Sequence, residues 1–95
     1  MTSAPRLPPR VRFVESVRAR LGPERGFLFD QRTGRVYSVN ASGALVAARI
    51  QADAPVGDII SAVVEAFEVE TDTTRRDFAH FVARLVEEGL AECDG

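Results

Sequence analysis

The clearest local pattern in this chain is Phe27-Leu28-Phe29-Asp30-Gln31-Arg32-Thr33-Gly34-Arg35-Val36-Tyr37-Ser38-Val39. Two segments rich in aromatic and aliphatic residues flank a polar turn. Gly34 can adopt the left-handed conformation that a hairpin loop requires. The pattern therefore predicts a β-hairpin.

The loop length sets which side chains of this hairpin share a face. With a three-residue loop of Arg32, Thr33 and Gly34, Phe29 faces Tyr37 and Phe27 faces Val39, so four large apolar side chains lie together. The opposite face then carries Leu28, Asp30, Val36 and Ser38. A four-residue loop would pair Phe29 with Val36 and scatter the apolar residues, so the patterning favours the three-residue loop.

Upstream of the hairpin, a further strand is predicted. Val11, Phe13 and Val17 fall on alternate positions, which is typical of a half-buried strand, and Leu21 to Gly26 forms a loop. Residues 1–9 contain three prolines and are predicted to be a flexible arm.

Downstream of the hairpin, the spacing of apolar residues changes to that of helices. Asn40 is a good N-cap for an alanine-rich helix over about 41–52, and Pro55 suits the first position of a helix that ends at Phe67. A third helix follows candidate caps in Thr71 to Thr74 and stops before Gly89. Its apolar stripe consists of Phe78, Phe81, Val82, Leu85 and Val86.

The element order predicts an α+β domain, with a three-stranded antiparallel meander followed by three helices in a winged helix-turn-helix-like arrangement. We expect the domain to span residues 10–92, with residues 93–95 as a C-terminal tail. Such a meander leaves at least one sheet edge open, and an open edge needs protection or a partner. We therefore expect a monomer or a weak homodimer.

Composition limits the function classes. The 95 residues hold one His, one Cys and no Trp. His80 and Cys93 supply neither a metal-ligand set nor a nucleophile with its base, and the acidic neighbours Glu92 and Asp94 oppose a reactive thiolate. We expect no catalytic residues, no metal and no cofactor. No apolar run is long enough for a membrane span or a signal peptide, which predicts a cytoplasmic protein without a membrane partner.

Several short segments of this chain resemble the PqqD family. They are Thr33 to Asn40, the alanine-rich helix, Asp53 with Asp58-Ile59-Ile60, Asp77-Phe78 through Leu85, and Gly89-Leu90. The resemblance covers roughly residues 10–92. It implies a recognition element that binds the leader of a ribosomally synthesised precursor peptide and presents it to a separate modifying enzyme, such as a radical SAM enzyme, protease or cyclase.

The resemblance also implies where the peptide binds. The leader adds as an extra strand along the third strand, and its side chains enter a groove beside the third helix. The residues implied are Arg35, Val36, Tyr37, Ser38, Val39, Asp77, Phe78, Phe81, Val82, Arg84 and Leu85. Of these, Val82 and Leu85 are expected to serve the core, whereas Phe78 and Phe81 could line the groove or the core.

The main alternative is a winged helix-turn-helix DNA-binding regulator, which would place basic residues on the last helix. The charges argue against nucleic acid. Residues 1–50 hold nine Arg and three acidic residues, whereas residues 51–95 hold three Arg and eleven acidic residues. From Asp72 to Glu92, three Arg accompany five acidic residues, so the candidate recognition helix is net acidic. The arginines near the N-terminus, among them Arg18 and Arg20, could contact an acidic partner or be solvated.

Overall fold

The computed structural model describes residues 7–94. Five strands and three helices follow in this order: β1 (Arg10–Phe13), β2 (Val17–Leu21), β3 (Arg25–Asp30), β4 (Arg35–Asn40), α1 (Ala41–Gln51), α2 (Val56–Phe67), α3 (Thr71–Glu87) and β5 (Ala91–Asp94). Strands β2, β3 and β4 form the antiparallel meander, with β3 in the centre. The predicted α+β class, with three antiparallel strands followed by three helices, is confirmed.

The predicted first strand is in fact two strands that belong to different sheets. Strand β1 pairs with β5, whereas β2 pairs with β3. Between them, the Val14 N–H donates to the Leu90 carbonyl oxygen (2.9 Å). Strand β5 was missed, and Cys93 and Asp94, predicted as a tail, lie in it. Four residues after a helix carry too little periodicity to indicate a strand, and their conformation depends on pairing with the distant strand β1.

The predicted register of the hairpin is wrong. Phe29 lies opposite Val36, Leu28 opposite Tyr37 and Phe27 opposite Ser38, around a four-residue loop. The core decides this register: Leu28 is 1% exposed and packs with the buried residues of the helices, which requires Phe27 and Phe29 to point away from them.

Asp30 is buried on the same side of β3 as Leu28, the side that faces the helices, and its hydrogen bonds explain how a polar residue can lie there. Its carboxylate accepts hydrogen bonds from the backbone N–H of Arg32 (3.0 Å) and from the Arg32 guanidinium (3.2 Å). The same guanidinium donates to the Gly89 carbonyl oxygen at 3.0 Å. Arg32 therefore ties the β3–β4 loop to the end of α3, which positions β4 beside that helix.

Three caps define the helix starts. The Asn40 side chain accepts from the Gly43 N–H (2.9 Å), as predicted for α1. Pro55 is the N-cap of α2 rather than its first residue, and the Val56 N–H donates to the Pro9 carbonyl oxygen. That bond places the end of the predicted arm against the domain, and residues 1–6 of the arm lie outside the described residues. The N-cap of α3 is Glu70 and the helix begins at Thr71, so the prediction of a cap within Thr71 to Thr74 is wrong by at least one residue.

Among residues 7–94, no helix combines the length and the apolar composition that crossing a lipid bilayer requires.

Candidate functional site

Strand β4 forms one edge of the three-stranded sheet, and no strand of residues 7–94 pairs with its outer side. The Gly22 N–H donates to the Arg25 carbonyl oxygen, and the Gln31 N–H donates to the Ser16 carbonyl oxygen. Odd-numbered residues of β3 therefore direct their backbone groups towards β2, and even-numbered residues towards β4. Leu28 thus exchanges hydrogen bonds with Tyr37, and the N–H and C=O groups of Val36 and Ser38 point out from the edge.

A groove of about 910 Å³ runs between this edge and α3. We call it the β4–α3 groove. Its walls are β4 and the first turn of α1 on one side and α3 on the other, while the end of α2 closes part of its floor. The residues of α3 that line it fall on one stripe of the helix: Thr73, Thr74, Asp77, Phe78, Phe81, Arg84, Leu85 and Glu88.

Nine of the eleven residues expected at the site line this groove. They are Val36, Tyr37, Ser38, Val39, Asp77, Phe78, Phe81, Arg84 and Leu85. Arg35 does not line it, but its guanidinium lies 3.5 Å from the Glu88 carboxylate. Val82 is buried in the core and contributes nothing to the groove surface.

Phe78 and Phe81 differ in burial although both line the groove. Phe78 is 3% exposed and belongs to the core cluster, whereas Phe81 is only partly buried and packs against that cluster. Leu85 is also a core residue that reaches the groove. Phe78 therefore belongs both to the core and to the groove lining, and Phe81 offers more exposed surface to a ligand.

Charged side chains are distributed along the groove. Glu88 accepts a hydrogen bond from the Tyr37 hydroxyl (3.1 Å), which links β4 to α3 at one end. Near the other end lies Asp77. Neither Asp77 nor Arg84 forms an ion pair with any residue of the described part of the chain. Both charges are therefore available to a bound molecule.

Sequence reasoning missed Phe67, Val69 and Glu88 as groove residues. Phe67 completes the apolar stripe of α2, so its periodicity indicates core and says nothing of a groove. Phe67 and Val69 are nevertheless 39% and 41% exposed, because they lie where α2 ends beside the open groove. Glu88 is an acidic residue at the end of a helix, and nothing in the neighbouring sequence indicates that it contacts a residue of β4.

The residues considered for catalysis or metal binding lie apart from this groove. His80 is exposed on α3. Burial, and then the charge of Asp94, raises the pKa of the Cys93 thiol, which disfavours the reactive thiolate. Within residues 7–94, no three His, Cys, Asp or Glu side chains are grouped so as to hold a metal ion.

Comparison with known proteins gives the family. The sequence profile of the family described as coenzyme PQQ synthesis protein D (PqqD) matches residues 25–91, which include β3, β4 and all three helices. The chain belongs to the PqqD family. No protein of curated function matches this PqqD-family chain in sequence.

Two solved structures share the fold of this PqqD-family protein. One is TbiB1 in complex with the TbiA(beta) leader peptide, with a TM-score of 0.80 and 19% identity over 88% of this chain and 98% of that chain. The other is lasso peptide synthetase B1 complexed with the leader peptide, with a TM-score of 0.73 and 25% identity over 87% of this chain and 98% of that chain.

Proposed function

We propose that this protein is a non-catalytic recognition element that binds the leader segment of a ribosomally synthesised precursor peptide. The leader would add as a strand to the outer edge of β4, and its inward side chains would occupy the β4–α3 groove. The protein would thereby present the precursor to a separate modifying enzyme.

The main support for this proposal is that a free strand edge lies beside an apolar groove. Val36 and Ser38 each offer an outward N–H and C=O, and these four groups would be satisfied by an extended peptide. Every second side chain of that peptide would point into the groove, where Phe81 of α3 and, at the end of α2, Phe67 and Val69 offer apolar contact. Membership of the PqqD family, and the leader peptides bound to the two solved structures of the same fold, support the same reading.

DNA binding finds less support in the charges of α3. Along this helix, Arg75, Arg76 and Arg84 accompany Asp72, Asp77 and Glu87, and Glu88 follows at its C-cap. A helix that enters the major groove would need a basic surface to contact phosphates. We expect duplex DNA to bind no tighter than about 100 μM at physiological salt.

The substitution Ser38→Pro tests strand addition directly. It removes an outward N–H without breaking the ladder between β3 and β4, and proline is tolerated on an edge strand in that orientation. The fold should persist. Leader affinity should fall by about 1–3 kcal/mol, roughly 5- to 150-fold, because the partner carbonyl loses its donor.

The ligand for this test is a synthetic peptide with the sequence of the leader encoded beside this protein's gene, and fluorescence anisotropy gives its affinity. The matched control is Ser38→Ala, which keeps the N–H and should bind as the unmodified protein does. Circular dichroism checks that both variants are folded. Equal affinities for the Pro and Ala variants would mean that the leader does not pair with Ser38, and strand addition at this edge would be wrong.

A further inference from the structure

The three-stranded sheet has a second face, turned away from the helices, of which only the edge residues Val36 and Ser38 also line the groove. We call it the outer face and define it by Arg18, Arg20, Arg25, Phe27, Phe29, Val36 and Ser38. Phe27, Phe29 and Val36 are 43%, 39% and 60% exposed. They are neighbours, because Phe29 lies opposite Val36 in the register of β3 and β4. Contiguous exposed apolar side chains of this size indicate an interaction site.

Arginines border these apolar side chains on β2. Arg18 lies directly opposite Phe29, and Arg20 lies opposite Phe27. Arg25 shares the face, two residues before Phe27 on β3. None of the three lies within 4.0 Å of a carboxylate of residues 7–94, whereas Arg10, Arg12, Arg32 and Arg35 all form ion pairs. Of the four arginines in residues 7–50 that form no ion pair, three thus lie around exposed phenylalanines, and the fourth, Arg49, lies on α1.

This composition fits a protein partner. Aromatic residues and arginine are the side chains most enriched in protein–protein interfaces and in their energetic centres. A complementary surface would carry an apolar centre ringed by Asp and Glu. A second copy of this chain does not fit, since a two-fold contact through the same face would oppose arginine to arginine and supply no carboxylate from the strands.

A bound leader would extend this face. A peptide strand beside Val36 and Ser38 alternates its side chains between the groove and the outer face. Its outward residues would continue the surface formed by Phe29 and Val36. A protein that contacts the outer face would therefore contact both this protein and the bound leader on one continuous sheet.

We propose that the outer face is the docking surface for the enzyme that modifies the bound precursor, and that this enzyme contacts it through an acidic surface with an apolar centre. This proposal rests on the proposed function, which identifies the bound molecule as the leader of a precursor peptide. The two partners would then use different surfaces of the sheet. The leader would bind at the β4 edge and in the β4–α3 groove, and the enzyme would bind the outer face.

Two double variants test the docking surface. Phe27→Ser with Phe29→Ser removes the exposed rings, and Arg18→Glu with Arg20→Glu reverses the charge. The probe is the purified peptide-modifying enzyme encoded beside the precursor gene, with affinity measured by biolayer interferometry in the presence of leader. Each double variant should weaken enzyme binding by at least about tenfold while leader affinity changes less than about twofold. The control is Val86→Ser, which removes a 45% exposed apolar side chain on α3 and should leave both affinities unchanged.

The outcomes separate the two proposals. If the leader fails to bind the unmodified protein, the proposed function fails, whatever the enzyme does. If the leader binds but the enzyme does not bind, or binds both double variants as it binds the unmodified protein, the docking surface alone is refuted. Binding of a single-stranded oligonucleotide of about 20 bases at physiological salt that both double variants abolish would assign the face to nucleic acid instead and would also overturn the proposal.

Discussion

Phe78 and Phe81 form a matched pair for separating peptide binding from folding. Both are phenylalanines of α3 that line the β4–α3 groove. Phe78→Ala removes a ring that is 3% exposed and should lower the free energy of unfolding by about 3–5 kcal/mol. Because a domain of this size is stable by only about 5–15 kcal/mol, that loss is a large fraction of the total stability.

Phe81→Ala should behave differently, because part of its ring already faces the open groove. We expect a loss of about 1–2 kcal/mol in the free energy of unfolding. A leader that covers roughly 50 Å² of the ring would gain about 1.3 kcal/mol at about 25 cal/mol per Å², so the substitution should weaken leader affinity about tenfold.

Urea titration gives the stabilities, and isothermal titration calorimetry with the leader gives the affinities at a temperature where the Phe81 variant is folded. Phe81→Leu keeps an apolar side chain in the groove and should bind more tightly than Phe81→Ala. A Phe81→Ala protein that is folded and binds the leader as the unmodified protein does would show that this ring serves the core alone.

Three further substitutions test the packing of the sheet, a matched control position on α2, and the buried carboxylate of the sheet. A Cβ at Gly26 would lie 2.7 Å from Leu21 Cδ2 and 3.0 Å from the Arg20 carbonyl oxygen, so Gly26→Ala should cost about 1–3 kcal/mol in urea titration. In contrast, Gly57→Ala on α2, where the methyl meets no atom within 4 Å, should stabilise by about 0.4–1 kcal/mol, and equal effects would contradict this account. The Arg32 hydrogen bonds hold the pKa of Asp30 below its usual value, so its contribution to stability is present above about pH 4 and is lost as the pH falls through the lower folded-state pKa. Asp30→Asn should therefore flatten the acid side of a melting-temperature profile, and an unchanged acid slope would contradict this role for Asp30.

Much of the candidate site was predictable because β4 and α3 each carry a strong local pattern. Val36 to Val39 reads as a strand, and the spacing of Phe78, Phe81 and Leu85 reads as one stripe of a helix. The resemblance to the PqqD family then placed these two elements side by side. The end of α2 and Glu88 could not be placed in the same way, because their part in the groove depends on contacts between distant segments.

The hairpin shows why local patterning can select the wrong face. Grouping Phe27 and Phe29 with Tyr37 and Val39 maximises the apolar area on one side of an isolated hairpin. In the folded protein the helices can cover only one side of the sheet, and Leu28 fills that side with Asp30 paired to Arg32. The rings are left on the outer face, which the predicted register had assigned to Leu28 and Asp30.

Local patterns along the chain were enough to predict the order of the main elements, the cap at Asn40 and the turn at Gly34, and the composition shows the separation of charge between the two halves. These features depend on backbone conformation and periodicity within a few residues, which local composition specifies. Contacts between distant segments set the register of β3 on β4, the pairing of β1 with β5, and the burial of Phe78 against the partial exposure of Phe81. Each of these features depends on how segments distant in sequence pack against each other. The free energy of that burial comes from contacts between those segments, which no local pattern contains.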